Sequence, residues 1–471
     1  MDPLSPLIPT QETEAASNQQ ADNLLFSPTS PIHEQLADIP PTSLSLNTNI
    51  PSENSSINLN SPSVFSNSSS TPQLPQRNLN GTNIERTSSQ TEIPNLTSST
   101  LFYDIPNNDP LTDMLTRHAT TDHRRRSLSV KKPFDNREDQ EAVYEMMKQN
   151  AWRSLAVFSR KQLINATPTD LEKILFLWFC RTLSLVKLKM HSLAAGELAR
   201  LGDLNSPKFN YESYPDLYPE HAPGSLVPFE LSVLSARLPG FMGNIEETIN
   251  RLYKIIFICK KNQLLMRKTE NAEEQKRWFE RESQLSLMIV NQLIEMKDNN
   301  AATLLMDQIC RRFKNQPEVW SALGRLYIQA GNLKQAQVAF KRVENLATEQ
   351  DPLEEVVLLN SSYIQMAEGK WEDACMTLDR VLKINHKNPA AANNFAICSL
   401  YLGRIDKAID TLETLISFAP STAGNSETIL FNLTTLFELR SENSLDKKRK
   451  LMVEVGKWAG DGFPVDCFKL N

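Results

Sequence analysis

The sequence contains few cysteines and histidines, the residues that most often bind metals or form disulfides. Its six cysteines are widely scattered and form no Cys-x-x-Cys pair, so neither a zinc knuckle nor a disulfide framework is indicated. The six histidines are isolated from one another, which gives no basis for a metal site. We therefore expect cysteines that act as small apolar residues inside helices, as suits a reducing compartment.

Motifs of catalysis and nucleotide binding are missing as well. The pair Gly369-Lys370 lacks both the upstream glycine and the following hydroxyl residue of a phosphate-binding P-loop. No nucleophile elbow, zinc-protease helix or kinase motif set is present. We expect a protein that is not an enzyme, with no catalytic, cofactor-binding or metal-binding residues. An unrecognised site in the loop 207–228 is the enzymatic alternative.

Long apolar runs and an excess of positive charge are also absent. The strongest apolar run, residues 174–180, is far shorter than the roughly 20 residues that span a bilayer. The N-terminus lacks the basic start and apolar core of a signal peptide. Because the formal net charge is −6, bulk nucleic-acid binding is not expected. These features favour a cytoplasmic protein without a transmembrane segment.

Residues 1–132 are rich in Ser, Asn, Thr, Pro and Gln, and they contain one glycine and no tryptophan. Such a composition buries too little apolar surface to offset the entropy of ordering, so we predict a disordered region. Two apolar clusters interrupt it, at 101–106 and 109–115. They dock on a partner or on the chain's own helices, or they occur by chance, and the sequence leaves these alternatives open.

A basic stretch follows, with three arginines directly before Ser127. Ser127 is a candidate phosphorylation site, because basophilic kinases need arginine two and three residues upstream, and a phosphate there would add negative charge beside three cations. A nuclear-import or membrane-surface patch is a second interpretation. A solvated basic stretch at a domain edge is the third.

Beyond residue 135 the apolar residues recur at helical spacing and nothing alternates like a strand. We predict helical hairpins over 135–282, interrupted by an ordered loop at 207–228 that is too rich in proline for a helix. The charged stretch 261–282 is predicted as a linker or a helix extension. A C-terminal helix and a capping tail are expected over 441–471.

An internal repeat is the strongest pattern of the sequence. Its best unit resembles the tetratricopeptide (TPR) repeat, with the packing residues Trp320, Leu323, Gly324, Tyr327, Ala336 and Phe340. The small residue of the second helix recurs as Ala374 and Ala408. We predict units that start near 283, 317, 355, 389 and 427. The expected fold is therefore all-α, a TPR-type solenoid of stacked helical hairpins preceded by a long disordered N-terminal region.

Asn360, Asn394 and Asn432 occupy one position of the first helix in successive units. They form either a ladder that grips the backbone of a peptide partner or a set of hydrogen bonds between repeats, and the second interpretation is favoured. A TPR subclass clamps chaperone carboxylates with a Lys, Asn and Arg set. Only Asn360 fits that set, so a chaperone adaptor is not expected.

Several phrases outside the repeat consensus resemble one family. They are LGDL at 201–204, YESYP at 211–215, GSLVPF at 224–229, AANN at 391–394, LFNLTTLFEL at 430–439 and DCFKL at 466–470. Together they are similar to the subunit twelve family of the transport protein particle (TRAPP) tethering complex, over about 135–471.

The resemblance implies a scaffold subunit of a TRAPP III-like assembly that acts in ER-to-Golgi transport and autophagy. Its implied partners are other TRAPP subunits and, indirectly, a Rab GTPase and a vesicle coat. Its implied location is the cytoplasmic side of the ER-Golgi intermediate compartment and the Golgi, with membrane association through the complex. The alternative is a stand-alone TPR adaptor for a short linear motif, with regulation at Ser127.

Overall fold

The computed structural model of the chain describes residues 95–106, 109–118, 140–219, 224–268, 271–346, 353–440 and 443–470. Within these ranges the protein is built from α-helices and short 3-10 turns, with one isolated bridge between Asn210 and Ser225 and no β-strand. The helices are α1 Pro110–His118, α2 Gln140–Lys148, α3 Trp152–Asn165, α4 Leu171–Lys187, α5 His191–Leu201, α6 Phe229–Phe241, α7 Ile245–Lys268, α8 Ala272–Glu295, α9 Asn299–Arg312, α10 Pro317–Gln329, α11 Leu333–Leu346, α12 Glu354–Ala367, α13 Trp371–Ile384, α14 Pro389–Tyr401, α15 Ile405–Phe418, α16 Glu427–Arg440 and α17 Ser444–Val455.

Consecutive helices pair as hairpins, and each hairpin packs on the next. The pairs α10–α11, α12–α13 and α14–α15 contact one another through α11 with α12 and α13 with α14. The buried apolar residues accordingly form a series of local clusters rather than one central core. This arrangement is that of a repeat protein in which each unit covers the apolar face of its neighbour. It confirms the predicted all-α solenoid.

The turn inside each repeat ends on a glycine in the left-handed region. Gly331, Gly369 and Gly403 have φ values of 75°, 73° and 72°. The next residue's amide donates back five residues, as from Asn332 to the Tyr327 carbonyl at 2.8 Å, which satisfies a carbonyl at the helix end. The same turn thus recurs in three successive units.

The charged stretch 261–282 is helical at 261–268 and 272–282. It continues α7 to Lys268 and opens α8 at Ala272, so the first predicted repeat helix begins well before residue 283. The loop 207–228 is ordered in its described part. Tyr214 is buried there, and the Tyr218 hydroxyl accepts a hydrogen bond from the Leu171 amide at 3.2 Å.

The predicted disordered region needs a correction at two places. Residues 95–106 lie against α3, α4 and α5, where Leu96 and Phe102 are buried. Helix α1 packs on α17 and on the C-terminal residues through Leu111 and Leu115. Both stretches are ordered because their few apolar residues pack against the chain's own helices and are removed from water. Ser127 lies outside the described residues, and its phosphorylation stays a prediction.

The two ends of the helical stack meet. The Asp461 carboxylate accepts a hydrogen bond from the Arg153 amide in the first turn of α3 at 2.9 Å, and the Asp461 amide donates to the Asn150 carbonyl at 3.0 Å. A Cβ atom added to Gly462 would lie 2.6 Å from the Lys187 carbonyl oxygen, so the tail fits closely against the end of α4. Residues 456–470 therefore join the last hairpin to the first helices.

Candidate protein-interaction surfaces

Helices α10 and α11 cross closely at Gly324. A Cβ atom added to Gly324 would lie 2.2 Å from Cε1 of Phe340, so the Phe340 ring fills the space that a side chain would take. Leu323 is buried beside it, and Ala336 on α11 is fully buried. Glycine in a helix interior is unfavourable by about 0.5–1 kcal/mol relative to alanine, so its presence here has a packing reason.

The remaining predicted packing residues lie on α10, α13 and α15. Ala374 and Ala408 are fully buried in α13 and α15. Trp320 and Tyr327 are half-buried at the border of the cluster that α8, α9 and α10 share. The indole nitrogen of Trp320 donates to the Lys314 carbonyl at 3.0 Å, which gives its polar atom a partner.

The three predicted asparagines do not form one ladder of equivalent contacts. Asn360 on α12 donates to the Ser321 hydroxyl on α10 at 2.8 Å. The Asn432 side-chain amide on α16 donates to Oδ1 of the Asn393 side chain on α14, also at 2.8 Å. Asn394 is half-buried on α14. Two of the amides therefore connect neighbouring repeats, and a role in contacting a partner stays a prediction.

A buried carboxylate, that of Glu282, lies where α7, α8 and α9 meet. Glu282 on α8 accepts a hydrogen bond from Arg312 on α9 at 2.9 Å and another from Gln263 on α7 at 2.8 Å. Burial alone would raise the pKa of Glu282, but these hydrogen bonds outweigh it and hold the pKa below its usual value. The charged residues of this stretch are thus part of the packing between three helices.

The cysteines are buried and carry free thiols. All six are free thiols in the described part of the chain. Burial raises the pKa of Cys259, Cys310 and Cys398 to about 12, so these thiols stay protonated near neutral pH, whereas the thiolate is the reactive form. Among the described residues no group of three or more His, Cys, Asp or Glu side chains could hold a metal ion.

The outer face of α7 exposes an unusual set of large apolar side chains. Tyr253, Phe257 and Leu264 have exposed fractions of 49%, 71% and 62%, and their spacing places them on one face of the helix. Tyr253 and Phe257 line an open groove of about 1080 Å³ between α5, α6 and α7, together with Leu198 and Leu238. Contiguous exposed apolar surface of this kind marks interaction sites in soluble proteins.

The part of α7 that carries these side chains is basic, although Asp203 and Glu247 also line the groove. Residues 248–268 of α7 contain six basic residues and no acidic residue. An apolar stripe flanked by cations is complementary to an acidic amphipathic segment of a partner. We call this surface, formed by Tyr253, Phe257, Leu264 and the flanking cations, the α7 face.

The α7 face was not predicted, although a signal for it is present in the sequence. Residues 245–268 contain apolar residues on more of the helix circumference than one buried side needs. An excess of apolar positions on a helix predicted to be half-solvated would have indicated a second contact surface. No helix in the described ranges is long and apolar enough to cross a membrane.

Comparison with known proteins gives consistent matches. The family model "Anaphase-promoting complex, cyclosome, subunit 3" matches residues 332–415. Trafficking protein particle complex subunit 12 of Homo sapiens is 31% identical over 331 residues, which are 66% of this chain and 44% of the human protein. The Mus musculus protein of the same name is 31% identical over 310 residues, 62% of this chain and 39% of that protein.

The chain spans less than half the length of these curated relatives. Among solved structures, the crystal structure of yeast Tom70 is similar at 13% identity and a TM-score of 0.33, covering 76% of this chain and 72% of that chain. The relatives confirm the resemblance that the sequence phrases indicated. Over about two thirds of its length the chain is similar to subunit 12 of the trafficking protein particle complex, and it is a TPR-repeat protein.

Proposed function

We propose that the chain is a non-catalytic scaffold subunit of a TRAPP III-like vesicle-tethering complex. It acts through protein-protein interaction and supports ER-to-Golgi trafficking and autophagy. The observation that carries this proposal is the 31% identity to proteins named as subunit 12 over about two thirds of the chain. The stack of helical hairpins supports it, because such stacks present long surfaces to partners.

The α7 face is the surface on which a neighbouring subunit would dock. Phe257 is 71% exposed, and removing such a side chain from water is worth roughly 1.5–3 kcal/mol. Large aromatic anchors in the centre of a patch with a charged rim are typical of stable interfaces. The partner segment that fits is apolar and acidic, in keeping with the cations along α7.

The proposed partners are other TRAPP subunits, with a Rab GTPase and a vesicle coat contacted indirectly through the complex. The proposed location is cytoplasmic, peripherally at the ER-Golgi intermediate compartment and the Golgi. Membrane association would come from the assembly rather than from this chain. Nucleic acid is not among the proposed partners, in keeping with the net charge of −6.

The test is immunoprecipitation of the endogenous protein with quantitative mass spectrometry. Other TRAPP subunits should be recovered in stoichiometric amounts, and the protein should co-migrate with them on gel filtration. A second arm compares the chain with its Phe257→Glu variant, which places a charge in the centre of the α7 face. We expect that variant to lose at least tenfold in recovery of the subunit bound there.

Val338→Glu is the matched control, because Val338 is 65% exposed on α11, away from the α7 face. It should leave recovery unchanged. Recovery of no TRAPP subunit by the unaltered protein would refute the proposal. In that case, capture of a short peptide by a protein that migrates alone would favour the adaptor alternative.

A further inference from the structure

Residues 95–106, which we call the N-terminal segment, occupy a groove formed by α3, α4 and α5. The segment is extended except for one 3-10 turn at Ser99–Leu101. Phe102 is 5% exposed and its ring centroid lies 4.8 Å from that of Trp178 on α4. The indole nitrogen of Trp178 donates to the buried Leu96 carbonyl at 3.1 Å. Two apolar anchors, six residues apart, thus hold the segment on α4.

The groove also binds the main chain of the segment at Tyr103. The Glu197 carboxylate accepts a hydrogen bond from the Tyr103 amide at 2.9 Å, and the Arg181 guanidinium donates to the Tyr103 carbonyl at 2.7 Å. Arg181 and Glu197 also pair with each other at 2.6 Å and 3.0 Å, with both side chains 1% exposed. Both main-chain polar groups of one residue are therefore held by a single buried ion pair.

The rim of the groove fits the side chains that follow. Tyr103 lies over Gly196, where an added Cβ would be 2.9 Å from the ring, and its ring is 4.0 Å from the Arg200 guanidinium. Arg200 also donates to the Thr100 carbonyl at 2.8 Å. Asp104 forms an ion pair with Arg160 on α3. These contacts favour an aromatic residue at the position of Tyr103, whereas the Asp104 side chain is 90% exposed, so its ion pair adds little.

The division of roles between the two sides is that of a peptide-binding site. The helices supply the buried ion pair and the arginines, whereas the segment supplies main-chain groups, two apolar anchors, a tyrosine and one carboxylate. A buried ion pair is costly to desolvate and gives little net stability to a fold. Here it satisfies an extended backbone, which is the task of recognition in a groove.

We propose that the groove of α3, α4 and α5 is a docking site for a short linear motif, which the N-terminal segment fills in cis. The partner that fits is an extended segment of another protein with an apolar residue and, six positions later, two consecutive aromatic residues. Such a partner competes with the N-terminal segment for the same contacts. This proposal does not depend on which assembly the chain joins.

The test uses the full chain with Phe102→Ala and Tyr103→Ala, which weaken the segment and leave the groove intact. The probe is a fluorescein-labelled peptide of residues 95–106, with binding followed by fluorescence anisotropy. We expect the double variant to bind the peptide at least tenfold more tightly than the unaltered chain, whose groove is filled. A peptide carrying the same two alanines is the control and should not bind.

A third substitution, Gly196→Leu, places a side chain where the peptide's tyrosine ring must lie. It should abolish binding of the peptide to the double variant. Failure of the folded double variant to bind the peptide would overturn the proposal. So would binding that survives Gly196→Leu, because the peptide would then lie elsewhere.

Native-state hydrogen exchange on the unaltered chain decides the matter if the double variant does not fold. A segment that leaves its groove exposes its amides without unfolding the helices. We therefore expect the Tyr103 amide, which is bonded to Glu197, to exchange at least tenfold faster than the central amides of α4. Equal exchange rates would mean that the segment is an inseparable part of the fold and would refute a docking site.

Discussion

The Gly324→Ala substitution tests the packing of the repeat most directly. The added methyl group would lie 2.2, 2.5 and 2.7 Å from three atoms of the Phe340 ring, whereas ordinary contacts between carbon atoms are near 3.5–4.0 Å. The ring must therefore move by about 1 Å or more. Phe340 is only 6% exposed, so its movement displaces neighbouring side chains rather than water.

The expected free-energy change is a difference between two opposing effects. Alanine favours the helix over glycine by about 0.5–1 kcal/mol. Overpacking of a well-packed site costs typically about 1–3 kcal/mol. We therefore expect Gly324→Ala to lower the free energy of unfolding of this unit by about 1–2 kcal/mol. Gly324→Trp should prevent the unit from packing at all.

Urea denaturation followed by circular dichroism measures the change, with hydrogen exchange to locate it, because a long repeat array can unfold in stages. A double-mutant cycle with Phe340→Leu makes the test specific. Since leucine reaches less far than phenylalanine, the double variant should be more stable than the sum of the single effects, with a coupling of about 1 kcal/mol. Gly424→Ala is the control, because its added Cβ would lie 3.9 Å from Ile416, an ordinary contact.

One result would refute this account of the crossing. If Gly324→Ala is as stable as the unaltered chain and shows no coupling to Phe340, the two residues do not face each other. The assignment of the repeat positions around Trp320 would then be wrong.

Three further predictions concern polar contacts. Glu282→Gln should make the free energy of unfolding fall less steeply in acid. The lowered pKa of Glu282 stabilises the fold above the usual pKa of 4.5, and this contribution disappears as the pH falls. Urea midpoints between pH 3 and 7 measure the effect, and a pH dependence equal to that of the unaltered chain would contradict it. Asn360→Ala should cost about 1–2 kcal/mol, since the Ser321 hydroxyl loses a buried partner; unchanged thermal stability would argue against the bond. Asp461→Ala should cost about 1 kcal/mol by leaving the first turn of α3 without its acceptor, with faster exchange of the Arg153 amide as the readout.

The repeat part of the fold was predictable because its signals are local and periodic. Helices α10 and α14 begin at Pro317 and Pro389, where proline is favoured in the first turn of a helix. The glycine that ends each repeat turn and the alanine five residues later follow from a period of about 34 residues. Each of these positions is decided by contacts within one or two hairpins.

The start of α8 was not predictable in the same way. The run of charged residues before position 283 fits a linker or a helix extension, and Glu282 within it is only 2% exposed. Its burial depends on Arg312, thirty residues further along the chain, and on Gln263 from the preceding helix. A pattern of charge alone cannot distinguish a linker from a helix whose charges are paired across an interface.

The docking of the N-terminal segment depends on even more distant contacts. Tyr103 meets Glu197, and Leu96 meets Trp178, with separations of 94 and 82 residues. Neither pair has a periodic spacing, and each partner by itself has several plausible roles. The sequence therefore shows the apolar clusters at 101–106 and 109–115 but does not predict which helices they contact.

The junction between residues 456–470 and the first helices limits how the chain can vary. A repeat protein with free ends tolerates the gain or loss of a whole unit, because only the neighbours of that unit must adapt. Here the removal of one hairpin would carry Asp461 away from Asn150, and an added hairpin would push it past that residue. The number of hairpins is consequently set by geometry, so changes in length should be confined to loops such as 207–228.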